Sequence, residues 1–175
     1  MLDAAGAAFA AGGFAGTSMD EIAAAAEISK PMLYSYFGSK QGLYVAYLER
    51  SGAALLDSMR AAPRAGSTTE ERLRAGIEAF FDYVDGHRPG WAVLYREAAS
   101  RGGPLSAELA SLRDRMARGV SRSFASEAFA EAFVGAGESL ANWWLERPEV
   151  PRKEVVGLLM SIARAGLRDG SPDGN

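Results

Sequence analysis

Apolar side chains recur every three or four positions through most of this chain, which is the spacing of one face of an α-helix. Leu2, Ala5 and Phe9 share such a face at the start, and Gly12-Gly13 is expected to end that helix. No sustained stretch alternates apolar and polar residues as a half-buried β-strand would. The pattern therefore predicts an all-α protein.

Capping residues divide the first part of the chain into short helices. Ser18 with Glu21 three residues later is a capping box, and it predicts the start of a second helix. Ser29 predicts the start of a third, whose first turn tolerates a proline because its amides have no intrahelical partner. Ser39 begins a fourth helix, which is expected to end near Pro63.

The second part of the chain has longer and more apolar helices. We expect them over residues 68–87, 91–101, 104–124, 126–147 and 152–168. Segments rich in Gly and Pro separate several of them. This change in helix length and apolarity predicts an amino-terminal three-helix domain over residues 1–46 and a carboxy-terminal helical domain over residues 47–175.

Composition narrows the chemistry that these helices can carry. The chain has 175 residues, 48% of them hydrophobic, a formal net charge of −3, no cysteine and one histidine, His87. Disulfides, thiol nucleophiles and sites that need cysteine or two imidazoles are excluded. A serine hydrolase using His87 would lack the Gly-x-Ser-x-Gly motif. We therefore predict no enzymatic activity, no metal site and no cofactor.

No apolar run approaches the ~20 residues that a helix needs to span a bilayer. The opening residues are apolar but include Asp3 where a signal peptide would have basic residues. A cytoplasmic protein without membrane contact is expected.

The second and third helices form a helix-turn-helix pattern around the tight turn at Glu27-Ile28. On a helical wheel Leu33 and Phe37 point inward, so the opposite face of the third helix is free to enter a major groove ~12 Å wide. The side chains expected to contact bases or phosphates are Lys30, Met32, Tyr34 and Tyr36. Four more lie at helix starts, where backbone amides favour an anion: Thr17, Ser18, Ser29 and Lys40.

Two segments carry a family resemblance: Gly-Thr-Ser-Met-Asp-Glu-Ile-Ala from Gly16 and Ser-Lys-Pro-Met-Leu-Tyr-Ser-Tyr-Phe-Gly-Ser-Lys from Ser29. With them, residues 1–48 closely resemble the DNA-binding domain of TetR-family transcriptional regulators. The resemblance implies that the third helix reads the operator, and that two sets of side chains contact DNA: Lys30, Pro31, Met32, Tyr34 and Tyr36 beside the bases, and Thr17, Ser18 and Lys40 on phosphates. It also implies a two-domain, all-helical repressor that dimerises through its last two helices and releases DNA when a small molecule binds its carboxy-terminal half.

Net charge in the first fifty residues argues against nucleic acid. Lys30, Lys40 and Arg50 face five acidic residues there, which gives 3 − 5 = −2. Binding to phosphates needs local cations, although helix dipoles and two-fold symmetry can offset their scarcity. The alternative is a dimeric helical small-molecule-binding protein whose DNA-binding head is vestigial.

Aromatic residues are numerous in the second half, as the apolar wall of a ligand cavity requires. We expect a small apolar or aromatic effector bound by Phe80, Tyr83, His87, Trp91, Tyr95, Met116, Phe124 and Trp143. Core packing is the competing interpretation for each aromatic residue, and capping of a helix end is favoured for His87.

Apolar stripes follow the last two predicted helices. They consist of Phe129, Phe133, Gly137, Leu140 and Trp144 on one helix, and Val155, Leu159, Ile162 and Gly166 on the other. A palindromic operator requires a symmetric protein, so we predict a two-fold homodimer built from four packed helices. Burial of these stripes within a monomer is the competing interpretation.

Overall fold

A computed structural model describes residues 1–62, 68–98 and 106–167, and for residues 94–98, 106, 108 and 109 it describes the backbone only. Over these ranges the chain forms nine α-helices: α1 (Leu2–Gly16), α2 (Met19–Ala25), α3 (Lys30–Phe37), α4 (Lys40–Ala61), α5 (Thr69–Gly86), α6 (Arg88–Ala98), α7 (Ser106–Ser121), α8 (Glu127–Leu145) and α9 (Arg152–Gly166). One isolated antiparallel bridge joins Phe124 and Leu167. The all-α prediction is confirmed. Pro63, near which the fourth helix is expected to end, and the Gly- and Pro-rich segment at residues 102–104 lie outside the described residues.

The end of α1 differs from the prediction. The helix continues beyond the two glycines to Gly16, and Gly13 makes a kink inside it with φ 69° and ψ 175°. Such a positive φ is accessible to glycine without steric cost. The pair of glycines therefore bends α1 instead of ending it.

The start of α6 also differs, since the helix begins at Arg88 and not at Trp91. Pro89 occupies the first turn, where a missing amide hydrogen is tolerated. The Trp91 amide then donates to the carbonyl of His87 at 2.9 Å. The proline thus belongs to the beginning of α6, not to the end of α5.

Residues Met1–Leu55 and Gly86–Ala110 form one compact unit, here called unit 1. Its core consists of fully buried side chains from the first four helices: Phe9, Ile22, Leu33, Leu43 and Tyr44. The rings of Phe9 and Tyr44 pack edge to face with centroids 4.6 Å apart. This core fixes the positions of α2 and α3.

Helix α6 belongs to unit 1 because it packs against α1. The Tyr44 hydroxyl donates to the carbonyl of Val93 at 3.4 Å. Tyr47 lies so close to α1 that a Cβ atom on Gly6 would come within 2.3 Å of its ring. Glycine at this position therefore permits the close approach. The predicted domain boundary at residue 46 falls within α4 and stays a prediction.

Residues Leu56–Asp85 and Ser111–Asn175 form a second compact unit, unit 2. Its core includes four fully buried side chains, those of Phe81, Phe124, Val155 and Met160. The rings of Phe81 and Trp144 meet at 88° with centroids 5.7 Å apart. Helices α8 and α9 pack directly against each other in this unit.

Candidate nucleic-acid interface

Two serine caps set the geometry of the helix-turn-helix. The Ser18 hydroxyl accepts from the Glu21 amide at 3.1 Å, and the Glu21 carboxylate accepts from the Ser18 amide at 2.8 Å, which completes the predicted capping box. The Ser29 hydroxyl accepts from the Met32 amide at 3.4 Å at the start of α3. Between the helices, Glu27 has a positive φ of 55°, which turns the chain sharply.

One residue anchors α3 and most of the others are exposed. Leu33 is fully buried and Phe37 is partly buried, as the helical wheel predicts. Met32, Tyr34 and Tyr36 are exposed to 45%, 43% and 67%, which is unusual for large apolar side chains. Lys30, Pro31 and Ser35 are exposed as well. The described residues of unit 1 therefore leave one face of α3 uncovered.

The three basic side chains of the first fifty residues all have partners within unit 1. Lys30 Nζ lies 2.8 Å from a carboxylate oxygen of Asp20, whose hydrogen bond and charge raise the pKa of Lys30 above its ordinary value. Arg50 Nη2 lies 2.6 Å from Asp3 Oδ1. Lys40 Nζ lies 4.7 Å from the centre of the Phe14 ring and within 3.4 Å of the Ala15 carbonyl oxygen. Of the three, Lys40 has no carboxylate partner among the described residues.

Thr17 requires a correction, because its side chain is buried instead of facing a phosphate. Its hydroxyl oxygen lies 2.8 Å from the Gly13 carbonyl oxygen and 3.0 Å from that of Ala8, and it donates its hydrogen to this pair. The Thr17 side chain therefore bonds to carbonyls on both sides of the bend in α1, at Ala8 and at Gly13 itself. Ser18 and Ser29 remain exposed at their helix starts, although their hydroxyls already serve as caps.

A cavity of about 270 Å³ lies in unit 2. Its wall comes from the end of α4, from α5, from α7 and the residues just after it, and from α8: Leu56, Met59, Arg60, Arg72, Leu73, Gly76, Ile77, Arg115, Met116, Gly119, Val120, Ser123 and Phe133. A smaller space of about 30 Å³ shares five of these residues and adds Phe80, Val134, Gly137 and Leu159. The lining is mostly apolar, as in small-molecule sites generally.

The structure brings two of the predicted ligand-binding residues to these spaces, namely Met116 and Phe80. Tyr83 and Phe124 are buried in the core of unit 2, and Trp91 is buried in unit 1. His87 and Trp143 are exposed. The side chain of Tyr95 lies outside the described residues. Core packing, the competing interpretation, therefore describes Tyr83, Trp91 and Phe124.

Two family models match the chain. One, described as bacterial regulatory proteins of the tetR family, matches residues 1–47, and another, described as the tetracyclin repressor-like C-terminal domain, matches residues 69–166. The chain belongs to the TetR family of transcriptional regulators. The first match covers the helix-turn-helix built by α2 and α3, and the second covers all the described helices from α5 to α9.

Individual TetR-family proteins resemble the chain over different lengths. A TetR-like transcriptional regulator from Rhodococcus sp. RHA1 has 39% sequence identity and a TM-score of 0.80, and the match covers 93% of this chain and 91% of that one. The transcriptional repressor SCO4008 of Streptomyces coelicolor is 29% identical over 180 residues, which cover 97% of this chain and 88% of the repressor. The transcriptional activator FasR of Mycolicibacterium smegmatis is 40% identical over 95 residues, which span 54% of this chain and only 43% of the activator.

The stripes predicted to form a TetR-type dimer interface are used largely inside the subunit. Phe133, Gly137, Trp144, Val155, Leu159 and Gly166 are all buried within the single chain. A Cβ atom on Gly137 would lie 3.4 Å from Leu159, and one on Gly166 would lie 2.2 Å from the Phe129 ring. For these residues the prediction of a surface role is corrected, because α8 and α9 use their most apolar faces to pack on unit 2. Phe129 and Leu140 are partly buried, and Ile162 is 44% exposed.

Two large exposed apolar residues of α8 and α9 were not among the predicted interface residues. Leu158 of α9 is 52% exposed and Trp143 of α8, predicted as a ligand contact, is 41% exposed. The same side of α8 presents small residues, Ala132, Gly135 and Ser139, at least partly to solvent. Spacing alone cannot distinguish two apolar stripes on one helix. The stripes predicted for the interface are mostly the ones that pack inside the chain.

Two glycines that line the cavity, Gly76 and Gly119, were not among the predicted site residues, although the position of Gly76 within its helix is a signal that the sequence contains. Gly76 stands in the interior of α5, where glycine costs about 0.5–1 kcal/mol relative to alanine, and Gly119 stands in the last turn of α7. A Cβ atom on either would meet nothing within 4 Å. A mid-helix glycine that no neighbour requires is consistent with a space kept open.

Within the described ranges, no group of three or more His, Asp or Glu side chains could hold a metal ion. Nor does any helix in those ranges have the length and apolarity needed to cross a membrane.

Proposed function

We propose that this TetR-family regulator represses transcription as a homodimer that binds a palindromic operator in double-stranded DNA and is released by a small-molecule effector. The observation that supports this most directly is the uncovered face of α3, on which Met32, Tyr34 and Tyr36 stand exposed around the single anchor Leu33. Exposed apolar side chains that cluster on one element mark interaction sites, whereas single ones do not.

Four of the exposed side chains of α3 have a suitable partner in or beside the major groove. Lys30 is suited to guanine acceptors or a phosphate, and Met32 to the methyl group of thymine. The hydroxyls of Tyr34 and Tyr36 are suited to donate to phosphates. Lys40 and Ser18, which is exposed at the start of α2, would add phosphate contacts beside the groove.

Dimerisation would place two α3 helices in successive major grooves, about 34 Å apart. We propose that the dimer forms through the exposed sides of α8 and α9, which include Trp143, Leu158 and Ile162. The small residues on the same side of α8 would allow the helices of a second subunit to approach closely. This surface replaces the buried stripes as the candidate interface.

The effector would bind in the cavity of unit 2. Helix α4 supplies Leu56, Met59 and Arg60 to its wall, and the same helix carries Leu43 and Tyr44 of the unit 1 core. A ligand that displaces the end of α4 would therefore alter the spacing of the two α3 helices. A coupling free energy of about 1–3 kcal/mol, or 5–150-fold in DNA affinity, is sufficient for such a switch.

We propose repression because SCO4008, which matches nearly the whole chain, is named a repressor, whereas the activator FasR matches only about half of this chain. In vitro transcription from the region upstream of the protein's own gene tests this choice. We expect added protein to reduce transcript yield, and an increase would identify an activator.

Fluorescence anisotropy with the same upstream DNA tests the proposed binding. We expect specific affinity at least about 1,000-fold above that for unrelated DNA at physiological salt. Equal, weak binding to both DNAs would instead support the alternative of a small-molecule-binding protein with a vestigial head. That alternative draws on the partnered basic side chains of unit 1 and on its acidic charge.

A further inference from the structure

The cavity of unit 2 has an uneven distribution of charge. Three of its lining side chains are arginines, Arg60, Arg72 and Arg115, and none of the described lining residues is acidic. Arg60 is paired with Asp57, and Arg72 donates to the Thr69 hydroxyl at 3.0 Å. Arg115 forms no hydrogen bond or ion pair with any described residue. Guanidinium groups match carboxylates and phosphates in geometry and charge, so this lining suits an anion.

The remainder of the wall is apolar. Met59, Ile77, Met116, Val120 and Phe133 line both the main cavity and the smaller space beside it. That smaller space has no charged lining residue. The site therefore combines a cationic part with a hydrocarbon part, and each part is suited to a different portion of one ligand.

The size of the cavity limits what it can hold. Its volume of about 270 Å³ is just below the range of about 300–1,000 Å³ that accommodates drug-sized ligands. The absence of side chains at Gly76 and Gly119 keeps two positions of the wall open. A ligand with a short or medium apolar chain fits this volume better than a large ring system.

We infer that the cavity binds an amphipathic anion, namely a carboxylate or phosphate on a short to medium apolar chain. The head contacts Arg115 together with Arg72 and Arg60, and the chain extends along Met59 and Met116 toward Phe133. This inference rests on the proposed function, since it names the chemical class of the effector for the same site.

Calorimetric titration of the full chain without DNA tests the inference, with octanoate, octyl phosphate and 1-octanol as probes. The three probes share a chain length and differ in the head, so they separate the two anion sources from the apolar contribution. We expect at least one of the anions to bind ten times more tightly than octanol, and the preferred anion identifies the head.

Two variants locate the binding. Arg115→Gln should weaken anion binding tenfold or more and leave octanol binding unchanged. Arg118→Gln is the matched control, because Arg118 is on the same helix, is paired with Asp114 and does not line the cavity. Gly119→Leu should fill the cavity and abolish binding of all three probes, and its thermal unfolding midpoint shows whether it remains folded.

The inference is overturned if octanol binds as tightly as both anions, if Arg115→Gln behaves like Arg118→Gln, or if neither anion binds at millimolar concentration. Anisotropy with the upstream DNA keeps this failure separate from failure of the proposed function. Specific DNA binding without anion binding overturns the inference alone, whereas anion binding that leaves DNA affinity unchanged overturns the effector role in the proposed function.

Discussion

Lys30 is paired before any DNA is present, and this pairing bears on the affinity of unit 1. Its ammonium group lies 2.8 Å from Asp20, and both side chains are largely exposed. An exposed pair of this kind contributes little to stability, so a phosphate or a guanine can displace the carboxylate. If α3 reads the operator as proposed, Asp20 competes with DNA for Lys30 and also repels the phosphates.

Replacing this carboxylate gives the first prediction. Asp20→Asn should raise DNA affinity several-fold and steepen the dependence of log affinity on log salt by about one unit, because Lys30 becomes available for a phosphate. Asp114→Asn is the control, since it makes the same charge change in an ion pair of unit 2. Anisotropy titrations over a salt series measure both effects, and an affinity equal to that of the control would refute the competition.

Some residues could be placed from sequence because their roles depend on near neighbours. The caps at Ser18 and Ser29 and the inward position of Leu33 are set within one turn of helix, and the structure has them as predicted. Thr17 could not be placed in this way. Its hydroxyl bonds across to Ala8, nine residues away, because of a kink that the sequence does not reveal.

At the scale of elements, α5 shows how a helix start responds to pH. The Thr68 amide donates to the Glu71 carboxylate at 2.7 Å, and the Glu71 amide donates to the Thr68 hydroxyl at 3.2 Å. The bond from the Thr68 amide, and after it a hydrogen bond from the Thr68 side chain to the carboxylate, hold the pKa of Glu71 below its ordinary value of 4.5. The lowered pKa means that the ionised form is favoured by folding. Its contribution is thus present above pH 4.5 and is lost as the pH falls through the folded value.

The lowered pKa of Glu71 leads to a prediction for the amides at the start of α5. At pH 7 they should exchange more slowly in the wild type than in Glu71→Gln, and the difference should shrink as the pH falls below 4.5 and vanish once Glu71 is protonated. Hydrogen exchange measures this directly. Glu78→Gln, an exposed change on the same helix, should show no such difference, and a constant difference from pH 7 to pH 3.5 would contradict the assignment.

The sequence was sufficient to predict which helices form and in what order, but not which helices pack together in one compact unit. The caps and apolar periods located most helix ends to within a few residues. The association of α6 with α1 depends on residues far apart in the chain: Gly6 and Gly90 are 90 − 6 = 84 positions apart, and both lie close to the side chain of Tyr47. Periodicity contains no information on such pairings, so the sequence predicts two consecutive domains with a boundary at residue 46.

At the scale of the whole molecule, the choice between two apolar stripes decides how subunits would meet. Burial within the chain uses Trp144, Val155 and Leu159, while Trp143, Leu158 and Ile162 remain exposed. The guanidinium carbon of Arg147 lies over the Trp143 ring, 4.6 Å from its centre, and this contact orients the tryptophan ring at the surface. In the proposed dimer, the second copy of the chain would cover these exposed side chains.

Leu158→Asp with Ile162→Asp should convert the protein to a monomer, because two carboxylates would be buried without partners in the interface. We expect the dimer dissociation constant to rise at least 100-fold in sedimentation equilibrium, with an unchanged helical circular dichroism spectrum. Ser111→Asp introduces the same charge on an exposed part of α7 and should remain dimeric. A dimeric double variant, or a wild type that is monomeric at micromolar concentration, would exclude this interface.

The affinity of α3 variants for the upstream DNA tests most directly whether the uncovered face of this helix reads the operator. The double variant Lys30→Ala with Tyr34→Ala should lose at least about tenfold in specific affinity, since each lost contact in the groove costs about 1–3 kcal/mol. Its unfolding midpoint should stay near that of the wild type because both side chains are exposed. Lys153→Ala, an exposed lysine of α9, should bind DNA as the wild type does. A folded double variant with undiminished specific affinity would contradict the proposed reading face.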